Sequence, residues 1–252
     1  MKPIITLAGP FTQPAAWTAL LSRQSYTVAR ITSVEHAIDD IVEQYPALVL
    51  IDGDQPGWQS WVNALETEQA TRRIPLLVIT SAPHTDQPGG ADGYLDSRLG
   101  GEDLLRALRA FIPVMSPETA DQLACQCRDD LPPLAQLGVQ RFNRGAYYAQ
   151  HDAFEELWMA ESGPVRDLYR AILQVGIAYH HITHGNHEGG LRMLRRCVQW
   201  FAVLPDECQG IDVRQLREDA ARVRAALIAI APDEMESFDR TLLKPVPRIT
   251  TD

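Results

Sequence analysis

The chain has 252 residues, of which 45% are hydrophobic, and a chain of this length usually divides into two hydrophobic cores. Its 33 acidic and 23 basic side chains give a formal charge of −10, which disfavours binding to nucleic acid and to anionic lipid. No apolar run approaches the ~20 residues that a membrane-spanning helix needs. We therefore expect a two-domain protein that binds neither nucleic acid nor membranes.

The cysteines and the amino-terminal segment favour a cytoplasmic location. Cys125, Cys127, Cys197 and Cys208 are too few and too irregularly spaced for a disulfide framework, so reduced thiols are expected. The first residues form a short apolar run that ends at Gly9, without the long apolar region of a signal peptide. A metal site at Cys125 and Cys127 is disfavoured because side chains at i and i+2 diverge on a helix.

Strand-like and helix-like segments alternate along residues 1–113, which we interpret as one α/β domain. Buried strands are predicted at 4–8, 26–31, 47–51, 76–80 and 93–95. Segments with helical periodicity are found at 17–21, 34–45, 58–68 and 102–111. This alternation predicts a flavodoxin-like, doubly wound, five-stranded parallel sheet with helices on both faces. Functional loops in such sheets follow the carboxyl ends of the strands.

Three segments of this half resemble response-regulator receiver domains. The segment 46–57, PALVLIDGDQPG, is similar to the third strand of that family and the loop after it. The segments 74–80, IPLLVIT, and 90–95, GADGYL, are similar to the fourth and fifth strands. The resemblance places Asp52 at the phosphoacceptor position and Thr80 at the position of the switch hydroxyl.

Two departures from the receiver pattern affect phosphorylation. Receivers bind Mg²⁺ through acidic residues just after the first strand, where this chain has Ala-Gly-Pro, so only Asp52 and Asp54 remain as candidate ligands. The lysine of the family falls near Ser97, with Arg98 beside it. We therefore expect a pseudo-receiver that docks to a protein partner or self-associates. In a purely structural alternative, Asp52 only accepts hydrogen bonds from backbone N–H groups of the neighbouring loop.

A break in the periodicity separates the two halves of the chain. Prolines at 113, 117, 132 and 133 bracket residues 114–133, which we interpret as a linker with one short helix after Ser116. From residue 134 no strand pattern returns, and helices are predicted at 134–143, 146–160, 165–184, 188–204 and 213–230. Residues 134–231 are expected to form a compact helical bundle, and residues 232–252 an extended tail.

The helical half contains a long polar motif. The pattern FN-x-G-x-Y-x3-HD-x2-E-x2-W spans 142–158, and it is followed by a Gly-Pro turn, by Gln174 and His181, and by a Gly-Asn turn. Over residues 134–204 this pattern is similar to domain-of-unknown-function family 309. The resemblance implies an all-helical domain and brings no established activity. Asp152 stands where that family usually has glutamate.

The motif also predicts a polar stripe. His151, Glu155 and Trp158 are spaced at i, i+4 and i+7, so they share one face of a helix. Gln174 and His181 share a face of the next helix. An antiparallel pair of helices would bring both sets together, as a cluster of two imidazoles, one carboxylate and one amide beneath Trp158.

Three interpretations of this cluster remain open. It is either a hydrogen-bonded network that fixes helix register, a metal site, or a metal-free acid–base pair of His151 and Glu155. The metal site would use His151, Glu155 and His181, with Asp152 as a further candidate, to hold a divalent transition metal. We expect an accessory signalling or scaffold protein whose helical domain presents the cluster as a groove for a small ligand or peptide. The alternative is a metal-dependent hydrolase.

Overall fold

The computed structural model describes residues 2–81 and 89–249, and the chain forms two compact units, Met1–Val114 and Met115–Asp252. The first unit contains the segments predicted to alternate between strand and helix. The second contains the segments predicted to be helical. Within the described residues, no helix combines the length and the apolar character that crossing a bilayer requires.

The first unit is built on a parallel sheet of five strands, counted over the described residues, in the order β2-β1-β3-β4-β5. The strands are β1 Ile4–Ala8, β2 Thr27–Ile31, β3 Leu48–Asp52, β4 Leu76–Thr80 and β5 Gly93–Asp96. The helices are α1 Pro14–Arg23, α2 Ala37–Gln44, α3 Trp58–Glu66 and α4 Gly101–Phe111. This strand order is that of the flavodoxin-like doubly wound fold, so the predicted fold class is confirmed.

Apolar side chains cover both faces of this sheet. Strands β3 and β4 are buried along their whole length, as expected for the centre of a parallel sheet. Because neighbouring residues of a strand point to opposite faces, Val49 and Ile51 pack with α2 and α3, whereas Leu48 and Leu50 pack with α1 and α4. Because the strands are parallel, their carboxyl ends lie at one edge of the sheet, together with the polar residues that end them.

The second unit is a helical bundle. Its helices are α5 Pro117–Gln126, α6 Pro133–Asn143, α7 Ala149–Ala160, α8 Arg166–Thr183, α9 His187–Phe201 and α10 Val213–Ile228. From α6 to α10, each helix packs against the next one along the chain. Small residues let the helices approach closely: a Cβ atom on Gly138 would lie 2.6 Å from the ring of Phe154. The prediction of a helical second half is confirmed.

Residues that the sequence suggested were linker and tail contribute to the core of the second unit. Leu123 and Leu131, from segment 114–133, are buried in it. The tail forms 3₁₀ helices at Pro232–Ser237 and Arg240–Leu242, and its side chains Met235, Phe238 and Val246 are also buried. Residues 115–133 and 232–249 therefore belong to the second unit and contribute side chains to its core.

The asparagine of the polar motif holds the tail in place. Asn143 Nδ2 donates a hydrogen bond to the carbonyl of Val246 at 3.5 Å, and the N–H of Val246 donates to Asn143 Oδ1 at 2.8 Å. The side-chain amide therefore pairs with a single backbone position as a neighbouring strand would.

A disulfide bond joins Cys127 to Cys208, so the expectation of reduced thiols is wrong at these two positions. Cys208 belongs to a short hairpin, β6 Glu207–Cys208 and β7 Ile211–Asp212, although no strand was predicted there. Its turn residues Gln209 and Gly210 have φ of 51° and 72°, as a two-residue type I′ turn requires. The N–H of Gln209 donates to the carbonyl of Cys127 at 2.8 Å. Cys125 and Cys197 are free thiols.

Candidate functional site

Asp52 ends β3 at the carboxyl edge of the sheet, and only 8% of it is exposed. Its Oδ2 accepts a hydrogen bond from the N–H of Thr12 at 2.7 Å, and its Oδ1 accepts one from the N–H of Asp54 at 3.0 Å. Both oxygens at the predicted phosphoacceptor position are therefore engaged by backbone donors, as in the structural alternative.

Asp54 lies in the loop after β3, and donors from the ends of β4 and β5 surround its carboxylate. Its Oδ1 accepts from Thr80 Oγ1 at 2.9 Å, from the N–H of Ser81 at 2.8 Å and from Ser81 Oγ at 3.1 Å. Its Oδ2 accepts from the N–H of Ser81 at 3.1 Å and from Ser97 Oγ at 3.3 Å. Partial burial raises the pKa of Asp54, but these hydrogen bonds together outweigh it and hold the pKa below its usual value.

The other positions that the receiver resemblance singled out have different neighbours. Gly9 follows β1, where receivers carry metal-binding acids, and the indole of Trp61 covers it: a Cβ atom on Gly9 would lie 2.9 Å from Trp61 Nε1. Arg98 pairs with Asp96 through Nε and Nη2, each 2.8 Å from a carboxylate oxygen. The guanidinium next to Ser97 is therefore committed to the acid that ends β5.

In the second unit, side chains of α7, α8 and α9 line a cavity of about 210 Å³ that is open to solvent. Its lining residues are His151, Glu155 and Trp158 from α7, Arg170, Leu173 and Gln174 from α8, and Arg196 and Trp200 from α9. The predicted stripe on α7 and Gln174 thus meet in one place. Arg170 and Trp200 were not predicted, although Arg170 with Gln174, and Arg196 with Trp200, have the i, i+4 spacing that places them on shared helix faces.

A cation–π stack forms one wall of this cavity. The guanidinium of Arg170 lies between two indoles, 4.5 Å from the ring centroid of Trp158 and 4.6 Å from that of Trp200. A cation over an indole face within about 6 Å is attracted by the ring electrons. Arg170 Nη1 is also 3.4 Å from an oxygen of Asp167. One side chain of α8 therefore holds the aromatic rings of both neighbouring helices.

Bonding capacity is left over in the cavity. Within residues 2–81 and 89–249, Arg196 has no ion-pair partner, and Gln174 Oε1 is buried without a hydrogen-bond donor. His151 Nδ1 lies 3.8 Å from Glu155 Oε2, and this Glu155 side chain is 47% exposed, which makes the pair weak. Asp152 is 79% exposed at the side chain, lies 3.5 Å from His151 Nδ1, and does not line the cavity.

His181 does not join these residues, so the prediction that places it in the cluster is wrong. It lies in the last turn of α8, with its Nδ1 3.1 Å from Asn186 Nδ2. Partial burial, and then the charges of Arg192 and His184, lower its pKa. In the described part of the chain, no three His, Cys, Asp or Glu side chains are arranged to hold a metal ion. The predicted metal set of His151, Glu155 and His181 therefore does not assemble.

Solved structures of receiver domains resemble the first unit at low identity. One is the receiver domain of sensor histidine kinase PA1611 from Pseudomonas aeruginosa PAO1, with 20% identity and a TM-score of 0.39, covering 44% of this chain and 98% of that chain. Another is a putative response regulator from Chloroflexus aurantiacus J-10-fl, with 21% identity, a TM-score of 0.39, and the same coverage of 44% and 98%.

A match to a protein-family model lies in the second unit. A curated relative, an uncharacterized protein of Aquifex aeolicus (strain VF5), is 27% identical over 77 residues, which is 30% of this chain and 23% of that protein. This chain therefore spans about a quarter of the length of that relative. The resemblance predicted from the polar motif is confirmed for the core of the helical unit: residues 135–193 match the family described as Domain of unknown function (DUF309).

Proposed function

We propose that this protein is an accessory signalling or scaffold protein whose helical unit binds a small anionic ligand in the cavity between α7, α8 and α9. A receiver-like fold and a segment that matches DUF309 occur in the same chain, and this combination supports a role related to signalling. One observation carries the proposal of a ligand: Arg196, a guanidinium without an ion-pair partner in the described residues, lines this cavity together with Trp158 and Trp200.

The charges around the cavity favour an anion. Arg166 and Arg170 lie over the ring of Trp158, and Arg196 on α9 lines the same cavity as Trp158, in a chain whose formal charge is −10. Glu155 is the carboxylate of the lining, and it lies towards solvent beside His151. The planar guanidinium of an arginine binds a carboxylate or phosphate through two parallel hydrogen bonds.

The apolar lining restricts the remainder of the ligand. Trp158, Leu173 and Trp200 provide flat or aliphatic walls, and about 210 Å³ is room for a small molecule or one terminal side chain of a peptide. We therefore propose a ligand with a carboxylate and an apolar or aromatic body.

Titration calorimetry with benzoate tests this proposal, and benzamide, which has the same shape without the charge, is the control ligand. We expect saturable binding of benzoate, no binding of benzamide, and loss of benzoate binding in Arg196→Gln. Arg192→Gln is the matched control, because Arg192 is an exposed arginine of the same helix outside the cavity. Equal binding of the two ligands, or unchanged binding in Arg196→Gln, would show that Arg196 is not an anion site.

For the α/β unit we propose docking to a protein or self-association rather than phosphorylation. This is supported by the engagement of Asp52 with the N–H groups of Thr12 and Asp54 and by the missing acids after β1. Incubation with a small phosphodonor and Mg²⁺ is expected to give no acyl phosphate. Labelling that disappears in Asp52→Ala would contradict this.

Self-association can be measured separately by sedimentation at increasing protein concentration. Amide hydrogen exchange at low and high concentration then locates the interface. We expect the residues whose protection increases with protein concentration to lie within 1–114. A sedimentation coefficient that does not change with concentration would argue against self-association and leave docking to another protein.

A further inference from the structure

Groups of opposite charge line the cavity of the helical unit. Glu155 belongs to α7 and Arg196 to α9, and both side chains line the same space of about 210 Å³. The structure describes both residues and shows no salt bridge between them. A ligand whose carboxylate is held by Arg196 would therefore have the negative charge of Glu155 close to it, and this charge repels a simple anion.

The carboxylate of Glu155 is only weakly engaged by the protein. The basic nitrogen that approaches it is His151 Nδ1 at 3.8 Å, which is longer than a hydrogen bond. His151 Nδ1 lies closer to Asp152, at 3.5 Å. In the part of the chain that the structure describes, the Glu155 carboxylate accepts no hydrogen bond. Its acceptor capacity is therefore available to a cationic group of a ligand.

Much of the remaining lining is apolar or aromatic. Leu173 of α8 and the indoles of Trp158 and Trp200 line the cavity. The guanidinium of Arg170 lies 4.5 Å and 4.6 Å from the centroids of the two indoles, and this stack holds the aromatic surface in place. Such a surface gains free energy when a hydrocarbon or aromatic side chain covers it.

We propose that the ligand of this cavity is an apolar or aromatic α-amino acid in its zwitterionic form. Arg196 binds its carboxylate, Glu155 binds its ammonium group, and its side chain lies against Trp158, Leu173 and Trp200. This inference rests on the anion site proposed above and adds the second charge of the ligand. A zwitterion fits the lining better than a simple carboxylate does, because its ammonium group is attracted by the charge that repels an anion.

Four ligands with one phenyl ring separate the contributions of the two charges when their binding to the full chain is measured by titration calorimetry. They are L-phenylalanine, 3-phenylpropionate without the ammonium group, phenethylamine without the carboxylate, and N-acetylphenylalanine, in which an amide replaces the ammonium group as at the end of a peptide. We expect L-phenylalanine to bind about tenfold more tightly than 3-phenylpropionate or N-acetylphenylalanine. Phenethylamine should not bind.

Glu155→Gln should remove the advantage of L-phenylalanine over 3-phenylpropionate, because the ammonium group loses its charged acceptor. 3-Phenylpropionate should bind this variant at least as tightly as it binds the wild type, since a neighbouring negative charge is gone. Glu156→Gln is the matched control. Glu156 is the next residue of α7, is exposed and does not line the cavity, so this variant should keep the preference for L-phenylalanine.

Equal binding of L-phenylalanine and 3-phenylpropionate by the wild type would overturn the inference, and so would a preference that survives in Glu155→Gln. N-Acetylphenylalanine that binds as tightly as L-phenylalanine would also overturn it, in favour of a peptide terminus. In these cases, benzoate binding that depends on Arg196 would leave the proposed anion site in place. No binding of benzoate or of 3-phenylpropionate would remove the anion site, and the inference with it.

Discussion

The carboxyl edge of the sheet and the cavity of the helical unit differ in whether their charged groups have partners within the protein. At the sheet edge, both oxygens of Asp52 and both oxygens of Asp54 accept hydrogen bonds from the protein. In the cavity, Arg196 has no ion-pair partner in the described part of the chain, and Gln174 Oε1 has no donor. The first group is complete without a ligand, whereas the second retains capacity to bind one.

This difference shows that a residue in a recognised motif can already be fully hydrogen-bonded and so have no capacity left for a ligand. The receiver resemblance directs attention to Asp52 and Thr80, and the structure places both inside a satisfied network. Arg170 is not among the residues that carry the family resemblance, but its charge lies next to a cavity. Unused hydrogen-bonding capacity is therefore the better guide to binding here. The following predictions test this comparison, beginning with the largest effect.

Loss of the disulfide should give the largest difference in stability between the two units. It should affect only the helical unit, since all four cysteines lie there. The bond closes a separation of 81 residues, so Cys208→Ser should lower the free energy of unfolding of that unit by about 2–5 kcal/mol. Thermal unfolding followed by circular dichroism measures it. Cys125→Ser, which removes an exposed free thiol, is the control and should leave the transition unchanged. An equal shift of both units would show that they unfold together.

The next prediction compares the loss of unfolding free energy when one carboxylate is removed from each unit. Asp52→Ala leaves the N–H groups of Thr12 and Asp54 without their charged acceptor at a position that is 8% exposed, and it should cost about 2–3 kcal/mol. Glu155→Ala removes a half-exposed carboxylate with one weak partner and should cost less than about 0.5 kcal/mol. Urea unfolding of the two variants measures both. A large loss in Glu155→Ala would instead favour the structural network on α7.

Acid should weaken the α/β unit through Asp54. Because the fold lowers the pKa of Asp54 below its ordinary 3.8, its carboxylate stabilises the folded state above that pH. This contribution is lost as the pH falls through the lower value of the folded state. Unfolding free energies measured from about pH 5 to pH 2 should therefore fall less steeply in Asp54→Asn than in the wild type. Parallel curves would show that the hydrogen bonds to Asp54 do not favour its charged form.

The smallest effect is expected from the histidines of α8. Partial burial, then the neighbouring His184 and His181, lower the pKa of His180 below its ordinary 6.5, so the fold favours the neutral imidazole. Stability from this source is complete above pH 6.5 and declines as the pH falls below it. The helical unit of the wild type should lose slightly more stability between about pH 6.5 and pH 5 than His180→Asn. Identical pH profiles would remove His180 as a cause.

The strands of the α/β unit were predictable because local sequence determines them. Apolar runs such as that of β4, Leu76–Thr80, are bounded by polar or turn residues, and alternation with helices limits the connections to a few. The polar edge followed from the same reasoning, since parallel strands end together. The role of Asp54 did not, because its donors lie 26 to 43 residues away and depend on loop conformation.

In the helical unit, helical spacing correctly predicted that Gln174 lies next to the polar residues of α7. The same reasoning wrongly placed His181 there. Seven residues advance a helix by about 10.5 Å, so His181 lies well beyond the cavity, in the last turn of α8. The stack of Trp158, Arg170 and Trp200 requires the relative rotation of three helices, which no single periodicity specifies. The disulfide partners are separated by 81 residues, and no spacing pattern links them.

The pairing of Asn143 with Val246 affects how the DUF309 segment can be isolated. The family match ends at residue 193, yet a residue of its central motif is bound to backbone 103 positions further on. A fragment cut at the end of the match would lose helix α10. It would also lose Cys208, which is bonded to Cys127, and Val246, which is hydrogen-bonded to Asn143 at the end of α6. We expect such a fragment to expose apolar surface and to aggregate, so the segment that matches DUF309 should be studied in the chain through to residue 249.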